Sequence, residues 1–234
     1  MTVKTLMPEP EDHRVRVGAQ RREKTRLRLV ESALAVFVEK GPDAAVIDDV
    51  IAAAGVSRGT FYNHFRTIEE LLLAVATGMS DEVLQVVDPV VLGIGDPVAR
   101  FATGTRLYMQ TALRYPLWGN FLTRVGTRIA ARGQLIDLFL TRDLTAAVEQ
   151  RRIKVDDVLV ARDIVLGSIF YGIETMLTER TRDHHPEHLL QCILVGLGLR
   201  APEARDIAFM PLATPKAVEG PIFSRLKPST RRDT

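Results

Sequence analysis

The densest run of side chains able to do chemistry is Ala54 to Phe65, AGVSRGTFYNHF. Arg58, Thr60, Tyr62, Asn63 and His64 stand within seven residues, and each carries a hydrogen-bond donor or acceptor that a short helix would turn outward. Phe61 and Phe65, four apart, would face back into a core. Groups of this kind bind rather than react: guanidinium, hydroxyl, amide and imidazole match the phosphate oxygens and base edges of DNA. Arg58 offers a forked cationic donor, and Tyr62 a hydroxyl on an aromatic ring. The competing roles are a solvated charge for Arg58, a packed aromatic for Tyr62, and packing on the following helix for His64. Because Phe61 and Phe65 already fill the inward face, Tyr62 is expected on the outer one.

A second cluster is electrostatic. Between His13 and Arg28 lie seven basic side chains, among them Arg22 and Lys24, against the single acid Glu23, although the chain as a whole carries only +2. Such a local excess is the footprint of a phosphate-binding arm, or else a solvated basic tail.

Catalytic constellations are not found. Gly196-Leu-Gly198-Leu-Arg-Ala201 spells a dinucleotide fingerprint but ends a helix instead of following a strand. Ser168 in GSIFYG has no strand before it and is no nucleophile elbow, and there is no P-loop. His188 and Cys192, spaced i, i+4 beside His184 and His185, could chelate a soft divalent metal; the alternative is a packed helix with a small apolar cysteine, and no metal or cofactor is expected. One cysteine excludes an intrachain disulfide framework and points to a reducing cytoplasm. No run is long and apolar enough for a membrane span or signal peptide, so no membrane partner is expected.

The elements that must position these groups are helical. Leu27, Val30, Leu34, Phe37 and Val38 recur at spacings of three and four until Gly41-Pro42 stops the stripe. Ile47 to Ala54 makes a short second helix that Gly55 ends, and Ser57 caps a third, so that two short helices meet at Gly55-Val56-Ser57 in a helix-turn-helix. Thr67-x-x-Glu70 is a capping box opening a fourth helix. Pro89, Gly93 and Gly95 break the chain, Val90-Val91-Leu92 is the best candidate strand but too short and isolated to build a sheet, and further helices are expected near 96–115, 117–125, 134–151, 156–180 and 186–199. Five prolines after Arg200 suggest an extended tail. The fold class is therefore all-α, with an N-terminal three-helix helix-turn-helix domain and a larger C-terminal helical domain.

The stretch from Arg22 to Val75, with AGVS, G-T-F-Y-x-x-F and E-E-L-L, resembles the DNA-binding domain of the TetR family of transcriptional regulators. Arg132 to Met176 resembles the second half of a family ligand domain. The resemblance implies DNA contacts from Ser57, Arg58, Thr60, Tyr62, Asn63, His64 and Thr67, with Arg22 and Lys24 supporting them. Val46 departs from the Ser or Thr usual at the second helix's cap, and Ile68 from the usual phosphate-binding Lys. The implied organisation is a flexible basic arm (1–20), a DNA-binding domain (21–68), an effector-binding and dimerisation domain (69–200) and a tail (201–234). The partners implied are a double-stranded DNA operator, a small apolar or aromatic effector and a second copy of the chain. The effector would be held by residues among Phe101, Tyr108, Met109, Trp118, Phe121, Phe170 and Tyr171. Close helix approach at Gly167, Gly172, Gly196 and Gly198 would serve the dimer. The rival reading is an architectural DNA-binding protein with a solid, ligand-free bundle in place of the cavity.

Overall fold

A computed structural model describes residues 13–212, 217–226 and 228. Among them the regular structure is ten α-helices and two 3-10 turns, without a strand, and no helix is long and apolar enough to cross a membrane. The chain divides into two compact units between Leu71 and Leu72.

The first unit holds α1 (His13–Lys40), α2 (Ile47–Ala54), α3 (Arg58–Tyr62) and the opening turn of α4 (Ile68–Val91). Helix α1 buries Leu29, Val30, Ala33, Leu34 and Phe37, while Leu27 and Val38, the expected ends of its stripe, are 43% and 54% exposed. It stops where Gly41 takes φ +78° and donates its N–H to the Phe37 carbonyl at 3.0 Å. The arm expected over 1–20 falls partly outside the described residues. From His13 the chain is already α1, because the Arg, Gln, Ala and Lys residues here are good helix formers with no proline among them. Gly55, at φ +59°, ends α2 in the left-handed conformation that costs a glycine least, and the following N–H, of Val56, bonds the Ile51 carbonyl at 3.3 Å.

In the second unit α4 continues to Val91, followed by α5 (Pro97–Arg114), α6 (Pro116–Val125), a 3-10 turn (Gly126–Ala130), α7 (Leu135–Glu149), α8 (Val158–Thr178), α9 (His185–Gly196), α10 (Ala201–Ala208) and a last 3-10 turn (Phe223–Arg225). Helix α5 is the axis of this unit: it packs on α6, α7, α8, α9 and α10 and is buried on nearly every side. Several of its polar groups are paired inside. The Arg106 guanidinium donates to Glu187 at 2.7 Å and to the Met210 carbonyl at 2.5 Å, and the Tyr108 and Ser80 hydroxyls lie 2.8 Å apart.

Two expectations need correction. Val90 and Val91 belong to α4, which runs through Pro89 and closes with the Leu92 N–H on the Asp88 carbonyl at 2.9 Å. A three-residue apolar run cannot tell strand from helix by period, and the preceding helix decides. Nor is the chain extended throughout from 201. Pro202 sits in the first turn of α10, where its missing N–H costs nothing, and Ala204, Ile207 and Ala208 are buried.

Candidate functional site

The candidate recognition surface is built on α3. Ser57 Oγ accepts the Thr60 N–H at 3.1 Å and lies 2.8 Å from the Thr60 hydroxyl, so both expected DNA-contacting hydroxyls belong to one cap at the helix start. Phe61 is fully buried and Phe65 nearly so, which anchors the inner face. Tyr62 is 48% exposed, its ring standing edge-on to Phe61 at 5.6 Å. Asn63 is exposed and its carbonyl receives the Arg22 guanidinium at 3.4 Å, which draws the basic stretch of α1 to the end of α3. Lys24 is exposed on α1 and not drawn into this contact.

Two features of this surface were not foreseen. Arg58 is paired with Asp48 of α2, ten residues earlier in sequence. Arg26 lies over the Phe65 ring at 5.6 Å and, with Arg22, surrounds His64. Partial burial first, then these two cations, hold the His64 imidazole below its ordinary pKa. At the start of α4, Thr67 Oγ1 accepts the Glu70 N–H at 3.1 Å, as a capping box requires, but Glu70 reaches back to the N–H of Arg66 at 2.7 Å. At α2 only half a box exists: Asp49 accepts the Val46 N–H at 3.2 Å, while Val46 has no acceptor to return.

The second unit contains a cavity of about 60 Å³ between α4, α5, α7 and α8. Phe101 and Tyr108 line it. Of the other aromatic and sulfur side chains expected there, Met109, Trp118, Phe121 and Phe170 are buried away from its wall, and Tyr171 is 74% exposed on α8. The helical period places a side chain inside but cannot say whether it meets another side chain or a void, and Tyr171 stands about 100° around the helix from buried Phe170.

What the sequence reading missed is the charge on the cavity wall. Arg100 donates to Asp143 at 2.8 Å; Arg142 donates to the same carboxylate at 2.8 Å and to Asp88 at 2.8 Å. Asp143 and Asp88 keep only 5% and 14% of their side-chain surface. Two cations and two anions, bonded to one another, leave this wall electrically neutral beside a lining that is otherwise apolar. The apparent i, i+1 pair at Arg142-Asp143 gives no hint in sequence, since the partners come from α4 and α5.

Elsewhere, His184 and His188 pack against the Phe209 ring at 5.9 and 5.2 Å, and Cys192 is exposed. Among the described residues no cluster of His, Cys, Asp and Glu is arranged to hold a metal. Of the four glycines expected at a helix interface, Gly172 is closed by Leu189 and Gly198 by Lys154 of the same chain, whereas Gly167 and Gly196 face open space.

Two family models match the chain. That of the bacterial regulatory proteins of the tetR family spans residues 29–75, and that of the tetracyclin repressor-like C-terminal domain spans residues 96–209. The HTH-type transcriptional regulator SrpR of Pseudomonas putida is 43% identical over 60 residues, which are 26% of this chain and 28% of that protein. CymR of the same species is 41% identical over 70 residues, 30% of this chain and 34% of that protein. The match thus spans about a third or less of these two curated relatives' length. Among solved structures, RolR in complex with its ligand resorcinol superposes with a TM-score of 0.74 at 32% identity, covering 84% of this chain and 98% of that one. The fatty acid degradation regulator FadR of Bacillus halodurans shares the fold, with a TM-score of 0.56 at 18% identity over 75% of this chain and 97% of that one.

Proposed function

Since the chain belongs to the TetR family of bacterial transcriptional regulators, we propose that it is a homodimeric repressor, released from a palindromic operator when a small hydroxylated aromatic molecule enters the α4–α5–α7–α8 cavity. The observation that carries the effector class is the neutral Arg100–Asp143–Arg142–Asp88 wall facing Phe101, Phe139 and Tyr108. The four charged groups already bond one another and the rest of the lining is apolar, so the ring of an effector would lie against Phe101, Phe139 and Tyr108 while a hydroxyl exchanges with a bond inside the charged cluster. A phenol offers a flat apolar ring, donors for the carboxylates and acceptors for the guanidinium groups. The volume, well under the roughly 300–1,000 Å³ of pockets for drug-sized ligands, restricts the effector to about one ring and requires the walls to part as it enters. RolR, which holds resorcinol, supports the same class. This reading proposes a hydroxylated member of the apolar or aromatic class expected from the sequence.

The dimer is supported by the outer face of α8 and α9. Val160, Ile164 and Tyr171 are 52%, 39% and 74% exposed at helical spacing with Gly167 among them, and Val195 beside Gly196 is 43% exposed. The DNA role is supported by the outward polar face of α3 and the arginines beside it. The regulator would act in the cytoplasm, where its operator lies.

Resorcinol titrated against the protein bound to a fluorescent operator, selected from random DNA, tests the reading. Resorcinol should release the DNA and raise the melting temperature. Asp143→Asn should blunt both effects while leaving operator binding in place. DNA release and melting temperature unmoved by millimolar resorcinol would sink the effector class.

A further inference from the structure

The C-terminal segment does not merely follow α10. Residues 219–226 lie back on the second unit, and the Ile222 and Phe223 N–H groups donate to the two carboxylate oxygens of Glu82, on α4, at 3.0 and 2.7 Å. Ile222 rests on Gly78, where a Cβ would come within 2.7 Å of Ile222 Cδ1, and Gly220 fits so closely on Glu82 that a Cβ there would collide with the carboxylate. Phe223 is 1% exposed, edge-on to Tyr115 at 4.7 Å and to Trp118 at 5.5 Å. Trp118 in turn stands edge-on to Tyr108 at 5.0 Å, and Tyr108 is a wall of the effector cavity. A continuous run of three rings, Phe223, Trp118 and Tyr108, therefore joins the strap to the cavity, and Glu82 pins the strap two residues along α4 from Ser80, whose hydroxyl lies 2.8 Å from that of Tyr108.

We propose that this strap sets effector affinity: Phe223 is a positioning residue that presses Trp118 onto Tyr108 and so fixes the cavity wall. The proposal rests on the effector reading above for its ligand, not for its geometry. Packing of this kind transmits displacement because close-packed interiors have no slack, and removal of one ring leaves its neighbour free to turn away.

Trp118 is the only tryptophan of the chain, so its fluorescence reports strap docking without any ligand. The experiment compares the full-length protein with Phe223→Ala and with Glu82→Gln, which keeps the side chain's size but loses one of two acceptors. It reads Trp118 emission, amide exchange over residues 104–109, the Kd for resorcinol, and operator affinity without effector. Both variants should red-shift the emission and speed exchange in α5. Both should weaken resorcinol binding roughly three- to tenfold, the worth of one aromatic pair, with operator affinity unchanged. Unchanged emission, or a red shift with exchange and resorcinol affinity unchanged, overturns the proposal. If the unmodified protein does not bind resorcinol, the effector reading fails separately and exchange in α5 alone decides the strap: faster exchange upholds it, unchanged exchange overturns it.

Discussion

Arg58 stands on the exposed face of α3 with its guanidinium already engaged by Asp48, so reading a base requires exchanging one partner for another. The pair is solvent-exposed and therefore worth little, about 0–1 kcal/mol. Asp48→Asn should accordingly raise operator affinity by up to about fivefold, by freeing Arg58 and removing a negative charge near phosphate. Arg58→Ala should cost about 1–3 kcal/mol on the operator and much less on random DNA. Binding isotherms on both DNAs separate these effects, and a loss equal on the two would assign Arg58 to phosphate. His64 titrates below its ordinary value in the free protein, because burial and then Arg22 and Arg26 oppose its proton. A phosphate placed beside that cluster reverses the local field and draws the proton on. Operator affinity should therefore rise as pH falls from about 7.5 towards 6, and His64→Gln should flatten that slope. A slope that persists in His64→Gln would place the proton elsewhere.

Helix ends are where single residues change the stability of whole elements here. Val46 is extended (φ −118°, ψ 162°) and 55% exposed at the N-cap of α2, with Asp49 already returning half of a capping box. Val46→Thr supplies the missing acceptor and should stabilise the protein by about 0.5–1 kcal/mol, read from the urea midpoint. At α5 the opposite change is instructive. Asp96 accepts the Val98 N–H at 3.3 Å and is clamped by Arg152 at 3.0 and 2.9 Å, and that pair, first of all, holds its carboxyl below the usual range. Its contribution is complete above the unfolded carboxylate pKa and is lost as pH falls through the lower folded value. Asp96→Ala should cost about 1 kcal/mol for the cap plus a fraction for the partly exposed pair at neutral pH. The difference from the unmodified protein should shrink towards pH 2, a convergence that urea titrations at the two pH values would detect.

For the whole molecule the surface that the proposed dimer would use is the outer face of α8. Tyr171, three-quarters exposed at the end of the Val160–Ile164–Gly167 stripe, is poorly explained in a monomer and well explained across a two-fold axis. Tyr171→Glu should shift light scattering from twice 26.0 kDa to the single-chain mass and remove tight operator binding, while α-helical circular dichroism is retained. A variant still dimeric would move the interface to another face.

Local signals in the chain marked most of its helices, though not the start of α1, the end of α4 or α10. Gly55 and Ser57 define the turn and cap of the helix-turn-helix, Phe61 and Phe65 fix which face of α3 turns inward, and the 3.6-residue period identifies nearly every helix. These are interactions between residues a few positions apart, which is why they can be read along one chain. Tertiary structure alone decided the rest. The Asp48 partner of Arg58, the neutral charged wall assembled from α4, α5 and α7, the division of the aromatic residues between core and cavity, and the docking of Phe223 on Trp118 all join residues brought near only by folding. Burial has a period in sequence; which buried side chain meets a partner, and which meets a void, does not.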